Sequence, residues 1–113
     1  MEVVYKIMTL GEWAETTDSG LYAGSALDLA DGFIHLSTAV QVEDTVTRHF
    51  ANCGNLILAA ISVKRVGAAL RFEPSRGGNL FPHLYANVKI KDILWAKEFE
   101  SHRPDQLRKF IME

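Results

Sequence analysis

Three features that many proteins depend on are scarce in this sequence: cysteine, excess basic charge and long apolar runs. Cys53 is the only cysteine, so no disulfide can form within the chain, and a reducing compartment is expected. The longest apolar run, residues 56–61, is far shorter than the roughly 20 residues that cross a bilayer as a helix. The opening MEVVYKIMTLGEW also lacks the basic and apolar regions of a signal peptide. We therefore expect a cytoplasmic protein with no membrane partner.

Charge and motif content exclude further classes. The formal net charge is −2 and the isoelectric point is about 6.1, whereas proteins that follow a phosphate backbone carry a basic stripe. The four histidines form no HExxH pair and no other i, i+4 pair, and CxxC is absent, so no metal site is expected. The glycine pair at 77–78 lacks the lysine and the spacing of a P-loop. Neither a nucleic-acid partner nor a prosthetic group is expected.

Length and composition indicate one folded unit. The chain has 113 residues, which suits a single small domain, and 48% of them are apolar, which supplies enough surface for a core. No repeat, linker or low-complexity segment divides the sequence. We therefore treat residues 1–113 as one domain.

Short predicted strands outnumber short predicted helices and do not alternate regularly with them. Residues 56–63 form the most apolar stretch, which predicts a central strand buried on both faces. Residue type and alternation predict six strands, at residues 3–8, 33–37, 56–63, 70–73, 83–88 and 93–99. Helix starts are indicated by two capping boxes, Thr9 with Glu12 and Thr38 with Gln41. The pattern predicts an α+β fold with a mixed or antiparallel sheet and short flanking helices.

Alternation within the strands turns several polar side chains away from the main core. Ile34 and Leu36 share one face of their strand, so His35 points to the other. The same rule turns His83 and Glu73 to the non-core faces of their strands. If these faces meet, they form a cleft with two imidazoles and a carboxylate, which suits acid–base chemistry. We predict His35, His83 and Glu73 as catalytic candidates in one site.

Neighbouring residues supply candidate ligand contacts. The loop after residues 70–73 carries Ser75, Arg76 and Gly77, and its backbone N–H groups and guanidinium suit an anion. Tyr22 and Tyr85 are candidate stacking platforms, although either is equally explained as a packing residue. Two more hydroxyl groups complete the set, those of Ser25 and Ser37.

The order of motifs closely resembles domain-of-unknown-function family 952. The resemblance covers residues 5–88, most of the chain. Its motifs are G-L-Y-A-G-S, D-x-x-D-G-F-I-H-L-S-T-A-x-Q-V and F-E-x-S-x-G-G-x-L-F-P-H-L-Y. The two longer motifs are specific when they occur together.

This resemblance implies an ADP-ribosyltransferase-like fold, because the family is grouped distantly with NAD-using proteins. In that fold a strand histidine holds the ribose, an aromatic ring stacks on nicotinamide and a late acidic residue polarises the ribose hydroxyl. His35 looks like the first, and Tyr22 or Tyr85 like the second. Glu73 is the nearest candidate for the third, with His83 as the alternative. The resemblance thus implies binding of NAD as a substrate, with ADP-ribosyl transfer or NAD hydrolysis.

Two other functions stay open. The same cleft suits a module that binds a small metabolite or peptide without catalysis, since binding needs only donors and aromatic rings. The chain also suits a partner protein without a ligand, in which Glu73 pairs with Arg71 or Arg76 at the surface. The family is sometimes labelled glutathione S-transferase-like, but the chain lacks the βαβ opening of a thioredoxin-like fold. The sequence does not indicate an oligomeric state.

We predict that Cys53 is structurally inert and that folding requires no metal, because the chain has no second cysteine and neither a CxxC nor an HExxH motif. Protein purified without added metal should contain no stoichiometric transition metal by elemental analysis. One metal ion per chain would contradict this prediction.

Overall fold

Strands and short helices follow one another through residues 2–112, the part of the chain that this computed structural model describes. The strands are β1 (Val3–Thr9), β2 (Leu21–Tyr22), β3 (Ile34–His35), β4 (Asn55–Ser62), β5 (Leu70–Pro74), β6 (Leu80–Leu84), β7 (Val88–Lys89) and β8 (Ile93–Glu100). The helices are α1 (Leu10–Ser19), α2 (Ala26–Asp31), α3 (Val42–His49), α4 (Val63–Val66) and α5 (Gln106–Met112). No helix in this range is long and apolar enough to span a membrane.

The strands form two three-stranded sheets and one short pair. Their orders are β1-β4-β8, β3-β6-β5 and β2-β7, and every strand pair within residues 2–112 is antiparallel. Tyr5 and Ser37 exchange two backbone hydrogen bonds, with N···O distances of 2.8 and 2.9 Å, and so join β1 to the chain just after β3. The predicted α+β domain is confirmed, and its sheets are antiparallel rather than mixed.

The strand β4 has a core on each side. Its side chains alternate between the two faces, and residues 56–62 are all buried. One core contains Ile57, Ala59 and Ile61, and the other contains Leu56, Leu58 and Ala60. The predicted central strand with two buried faces is therefore confirmed.

One predicted capping box forms and the other does not. Glu12 N–H donates to Thr9 Oγ1 at 3.0 Å, and Thr9 N–H donates to Glu12 Oε1 at 2.8 Å, so α1 starts as predicted. The second prediction was wrong. Gln41 Oε1 accepts from Thr38 N–H at 3.0 Å, but Thr38 Oγ1 is buried without a partner. The chain makes a turn at residues 39–41, and α3 begins only at Val42.

The predicted strand at residues 83–88 is interrupted. β6 ends at Leu84, and the N–H of Tyr85 donates to Ala69 O at 2.9 Å, outside the β5–β6 ladder. Val88 pairs with Tyr22 in the β2–β7 sheet. The alternation had merged two short strands because both carry apolar residues in the same phase, although they belong to different sheets.

Leu58→Ala should lower the free energy of unfolding by about 2–5 kcal/mol, because it leaves a cavity at a fully buried position of β4. Leu29→Ala is the matched control: Leu29 is 67% exposed on α2, and its replacement should change stability by less than about 0.5 kcal/mol. Urea unfolding followed by circular dichroism measures both. Equal losses in the two variants would contradict the assignment of the core.

Candidate functional site

A cavity of about 680 Å³ is lined by residues from β1, α2, β3, α3, the loop after β5, and β6. Apolar carbon comes from Ile7, Ala26, Leu27, Phe50 and Phe81. Imidazoles, a guanidinium and hydroxyl groups come from His35, His49, His83, Arg76, Ser37 and Ser75. The lining thus combines apolar surface with convergent hydrogen-bonding groups, which is typical of a small-molecule site.

The imidazoles of His35 and His83 lie side by side in this cavity. The two residues are directly opposite each other across β3 and β6, and their ring centroids are 5.7 Å apart. Phe33 stacks on His83 at 4.1 Å and is tilted against His35 at 4.6 Å. Directly opposite residues of an antiparallel pair share a face, so the structure brings the two predicted catalytic histidines together.

His35 has carboxylates on both ring nitrogens. Its Nδ1 lies 2.7 Å from Asp28 Oδ1, and its Nε2 lies 3.0 Å from Asp31 Oδ2. Its backbone N–H also donates to Asp28 Oδ1, at 3.0 Å. Asp28 is buried, whereas the Asp31 side chain is 44% exposed. A ligand can therefore reach Nε2 of His35 only if Asp31 moves aside.

A buried ion pair between Lys6 and Asp28 fixes the position of His35. Lys6 Nζ donates to Asp28 Oδ2 at 2.9 Å and to the backbone carbonyl of His35 at 3.0 Å. The N–H of Ser25 donates to the same Asp28 oxygen at 2.9 Å. Burial alone would raise the pKa of Asp28, but the Lys6 ammonium and the backbone donors outweigh it and hold that pKa at about 2. Asp28 is therefore a carboxylate at all ordinary pH values.

His83 is held on one side only. Its Nδ1 lies 2.9 Å from Glu73 Oε1, and the Tyr85 hydroxyl donates to the same oxygen at 2.7 Å. Hydrogen bonds from Tyr85 and then His83 lower the pKa of Glu73, so Glu73 is ionised and the proton between the pair sits on Nδ1. Nε2 of His83 has no hydrogen-bond partner within residues 2–112. Glu73 contacts His83 but does not itself line the cavity.

Neither predicted stacking tyrosine lies in the cavity lining. Tyr22 is 3% exposed and belongs to a core cluster, because its pairing with Val88 turns the ring inward. Burial, followed by the charges of Glu12 and Asp28, raises the pKa of Tyr22 and keeps its phenol neutral. The ring of Tyr85 is 43% exposed, since the chain leaves the sheet after β6. The stacking assignment of Tyr22 is therefore corrected, because its ring is buried in the core, whereas that of Tyr85 stays a prediction.

The remaining predicted contacts divide between two places. Ser25, Ser37, Ser75 and Arg76 line the cavity. The hydroxyl oxygen of Ser37 lies 3.0 Å from Thr45 Oγ1. Gly77 instead borders a neighbouring groove, on a turn where its φ is +68°. Because of this turn, Gly77 and its backbone N–H group, which was expected to bind an anion, do not line the cavity.

Several residues of the site were not predicted from the sequence, among them Lys6, Asp28, Asp31 and His49. A signal existed for the first three. Lys6 is the single charge in an otherwise apolar strand, and Asp28 and Asp31 are the acids of D-x-x-D directly before G-F-I-H. Asp28 also completes a capping box with Ser25 at the start of α2. His49 gave no signal, because its partner Arg76 is distant in sequence.

Metal binding finds no support among the described residues. No group of three or more histidine, cysteine, aspartate or glutamate side chains in residues 2–112 could hold a metal ion. Cys53 is exposed, and its Sγ lies 3.8 Å from Ala51 O.

The chain matches the family model described as "Protein of unknown function (DUF952)" over residues 7–96. It is also similar to solved structures of protein CC0527 from Caulobacter crescentus. The X-ray structure is 39% identical, with 88% of this chain and 85% of that chain covered and a TM-score of 0.80. The solution NMR structure is 39% identical, with 88% and 86% covered and a TM-score of 0.79. No curated protein matches the chain.

Asp28→Asn should lower the free energy of unfolding by about 3–5 kcal/mol at neutral pH, because it leaves the Lys6 ammonium buried without a counter-ion. The loss should depend on pH. A carboxylate with a lowered folded pKa stabilises the fold above its unfolded pKa of about 3.9, and this contribution disappears as the pH falls through about 2.

The stability difference between wild type and Asp28→Asn should therefore be constant above about pH 5 and narrow by about 2 kcal/mol between about pH 4 and pH 2. Urea unfolding across this pH range measures it. Asp18→Asn, which makes the same change of charge at an exposed position, is the control. A difference that does not change with pH would contradict the assigned role of the ion pair.

Proposed function

Because the chain belongs to the family of proteins of unknown function DUF952, its function must be inferred from its own site, and we propose that the cavity binds NAD or a related nucleotide-like ligand. We further propose that His83 exchanges a proton with the bound ligand. The ligand class is suggested by the distant grouping of this family with NAD-using proteins. A cavity that combines aromatic carbon with basic nitrogen supports it.

The orientation of His83 carries this proposal. Glu73 accepts from Nδ1, so in the neutral ring the lone pair is on Nε2, which no described residue occupies. Phe33 stacks on the imidazole and restricts its rotation. An imidazole with one nitrogen bonded to a carboxylate and the other available is the arrangement that general acid–base catalysis requires.

The reaction proposed is displacement at the glycosidic carbon of NAD. The bond from that carbon to nicotinamide breaks, and nicotinamide leaves as a neutral molecule with the bonding electron pair. Water, or an acceptor hydroxyl, forms the new bond to the same carbon and gives its proton to His83 Nε2. Glu73 is then a positioning residue, which holds the imidazole and stabilises the imidazolium that forms.

An ADP-ribosyltransferase-like architecture is part of the same proposal. It is supported by the order of elements around His35, which lies on β3 and is followed by Ser37 and then by α3. In this interpretation His35 orients the ribose after the ligand displaces Asp31 from its Nε2.

A non-catalytic binding module is the second candidate, and the environment of His35 favours it. With Asp28 and Asp31 on its two nitrogens, His35 contributes a fixed surface rather than a free base. In that function the cavity recognises a small metabolite by shape and hydrogen bonds and does not convert it to a product.

His83→Gln should separate the two functions. Wild type should be stabilised by NAD and ADP-ribose, by about 2.7 kcal/mol at a hundred times the dissociation constant. In the catalytic case, His83→Gln should release nicotinamide from NAD about 10²- to 10⁴-fold more slowly while still binding ADP-ribose, because glutamine keeps a hydrogen-bonding group there. Thermal unfolding and chromatographic detection of nicotinamide make the measurements.

His102→Gln is the matched control, because its side chain is 69% exposed and lies outside the cavity lining. It should behave as wild type. Binding of ADP-ribose without any release of nicotinamide by wild type would favour the binding module. No stabilisation of wild type by NAD, ADP-ribose or nicotinamide would overturn the proposed ligand class.

A further inference from the structure

A second group of polar residues lies in the same cavity but takes no part in the proposed proton transfer. It consists of Arg76, His49 and Thr45. Arg76 Nη1 lies 2.7 Å from His49 Nε2, and Arg76 Nη2 donates to Thr45 Oγ1 at 3.2 Å. The guanidinium also lies over the ring of Phe81, with its carbon 4.8 Å from the centroid. These contacts hold Arg76 at the cavity although it comes from a loop.

The contact between Arg76 and His49 fixes the state of the imidazole. A guanidinium can only donate, so Nε2 of His49 must be the acceptor and the ring must be neutral, with its proton on Nδ1. Burial and then the charges of Arg76 and Arg48 lower the pKa of His49, and Asp44 opposes this shift. His35 also adds weakly to the lowering. Arg76 and His49 can therefore stay in contact because the His49 imidazole is uncharged.

The negative charge near this pair is small. Asp44 is the carboxylate next to Arg76, at 3.5 Å, and it is shared with Arg48 at 2.8 Å. The Arg76 side chain is 26% exposed, so a ligand in the cavity can reach it. A bound anion would neutralise Arg76 and would also allow His49 to become protonated and donate.

We propose that Arg76 and His49 form an oxyanion subsite that takes a phosphate group of the ligand, and that His49 becomes protonated as this group binds. Thr45 positions the guanidinium, because its hydroxyl accepts from Arg76 and donates to the backbone carbonyl of Gln41. A phosphate group offers oxygens in several directions, which suits a guanidinium and an imidazolium that line the same cavity. Ser75 supplies a further hydroxyl to the same lining. A planar carboxylate would satisfy fewer of these donors. The identity of the ligand that carries the phosphate rests on the proposed function. The subsite itself should also bind an inorganic anion when that ligand is absent.

Titration with inorganic sulfate tests the subsite, because sulfate has the same shape as phosphate and does not titrate between about pH 6 and pH 8. Calorimetry at constant ionic strength should show binding that weakens as the pH rises and that takes up protons near neutral pH. Inorganic phosphate should bind in the same place, and acetate should bind much more weakly. Absence of sulfate and phosphate binding, or acetate binding as tight as sulfate, overturns the proposal.

Two variants assign the effect to residues. Arg76→Gln should weaken sulfate binding about ten- to a hundredfold, because charge-assisted hydrogen bonds are lost. His49→Gln should abolish the proton uptake. Arg103→Gln, a surface change of the same charge outside the cavity, should alter binding by less than about twofold. Sulfate binding that is unchanged in Arg76→Gln, or proton uptake that is unchanged in His49→Gln, overturns the proposal.

The subsite and the proposed function fail in different ways. Sulfate binding that depends on Arg76, together with no binding of NAD or ADP-ribose, removes the proposed function and leaves the subsite. Binding of ADP-ribose that is as tight in Arg76→Gln as in wild type removes the subsite and leaves the proposed function.

Discussion

The Lys6 ammonium and the Asp28 carboxylate meet at 2.9 Å, with side chains only 7% and 2% exposed. Removing two charges from water is expensive, and the pair is tolerated because its remaining hydrogen-bonding capacity is used. Asp28 accepts from the N–H groups of Ser25 and His35, and Lys6 also donates to a carbonyl. The pair therefore ties β1, the start of α2 and β3 together at one point. The position of the cavity lining depends on it.

The two central histidines are each bonded to a carboxylate, but with different consequences. Asp28 is buried and fixed by several donors, and Asp31 takes the other nitrogen of His35, so that ring is part of the framework. Glu73 is half-exposed and holds only Nδ1 of His83. One nitrogen of His83 therefore remains for a ligand. The surroundings of each ring, rather than the residue type, therefore determine whether one of its nitrogens is available to a ligand.

Local pattern predicted the features that depend on the order of residues within a strand. The two buried faces of β4 follow from its continuous apolar run. The shared face of His35 and His83 follows from the two-residue period together with the register of adjacent strands. Other features depend on contacts that no local pattern contains. Lys6 reaches Asp28 across 22 residues, and Arg76 reaches His49 across 27. Tyr22 was misassigned because its burial results from pairing with β7, late in the chain.

The motif resemblance worked at a different level from the residue patterns. It identified the family from fourteen or fifteen consecutive positions at a time, and the match over residues 7–96 agrees with it. It did not assign a role to each residue of the motif D-x-x-D-G-F-I-H. The two aspartates differ only in the folded structure, where Asp28 is buried and Asp31 is exposed.

The place of β4 also has a consequence for biosynthesis. Its two partners are β1, from the beginning of the chain, and β8, from near its end. While the chain emerges from the ribosome, the apolar residues 56–61 can pair with β1, but they stay open along the other edge until β8 has been made. For that interval the nascent protein presents an unpaired apolar strand edge, the kind of segment to which chaperones bind and through which incomplete chains aggregate.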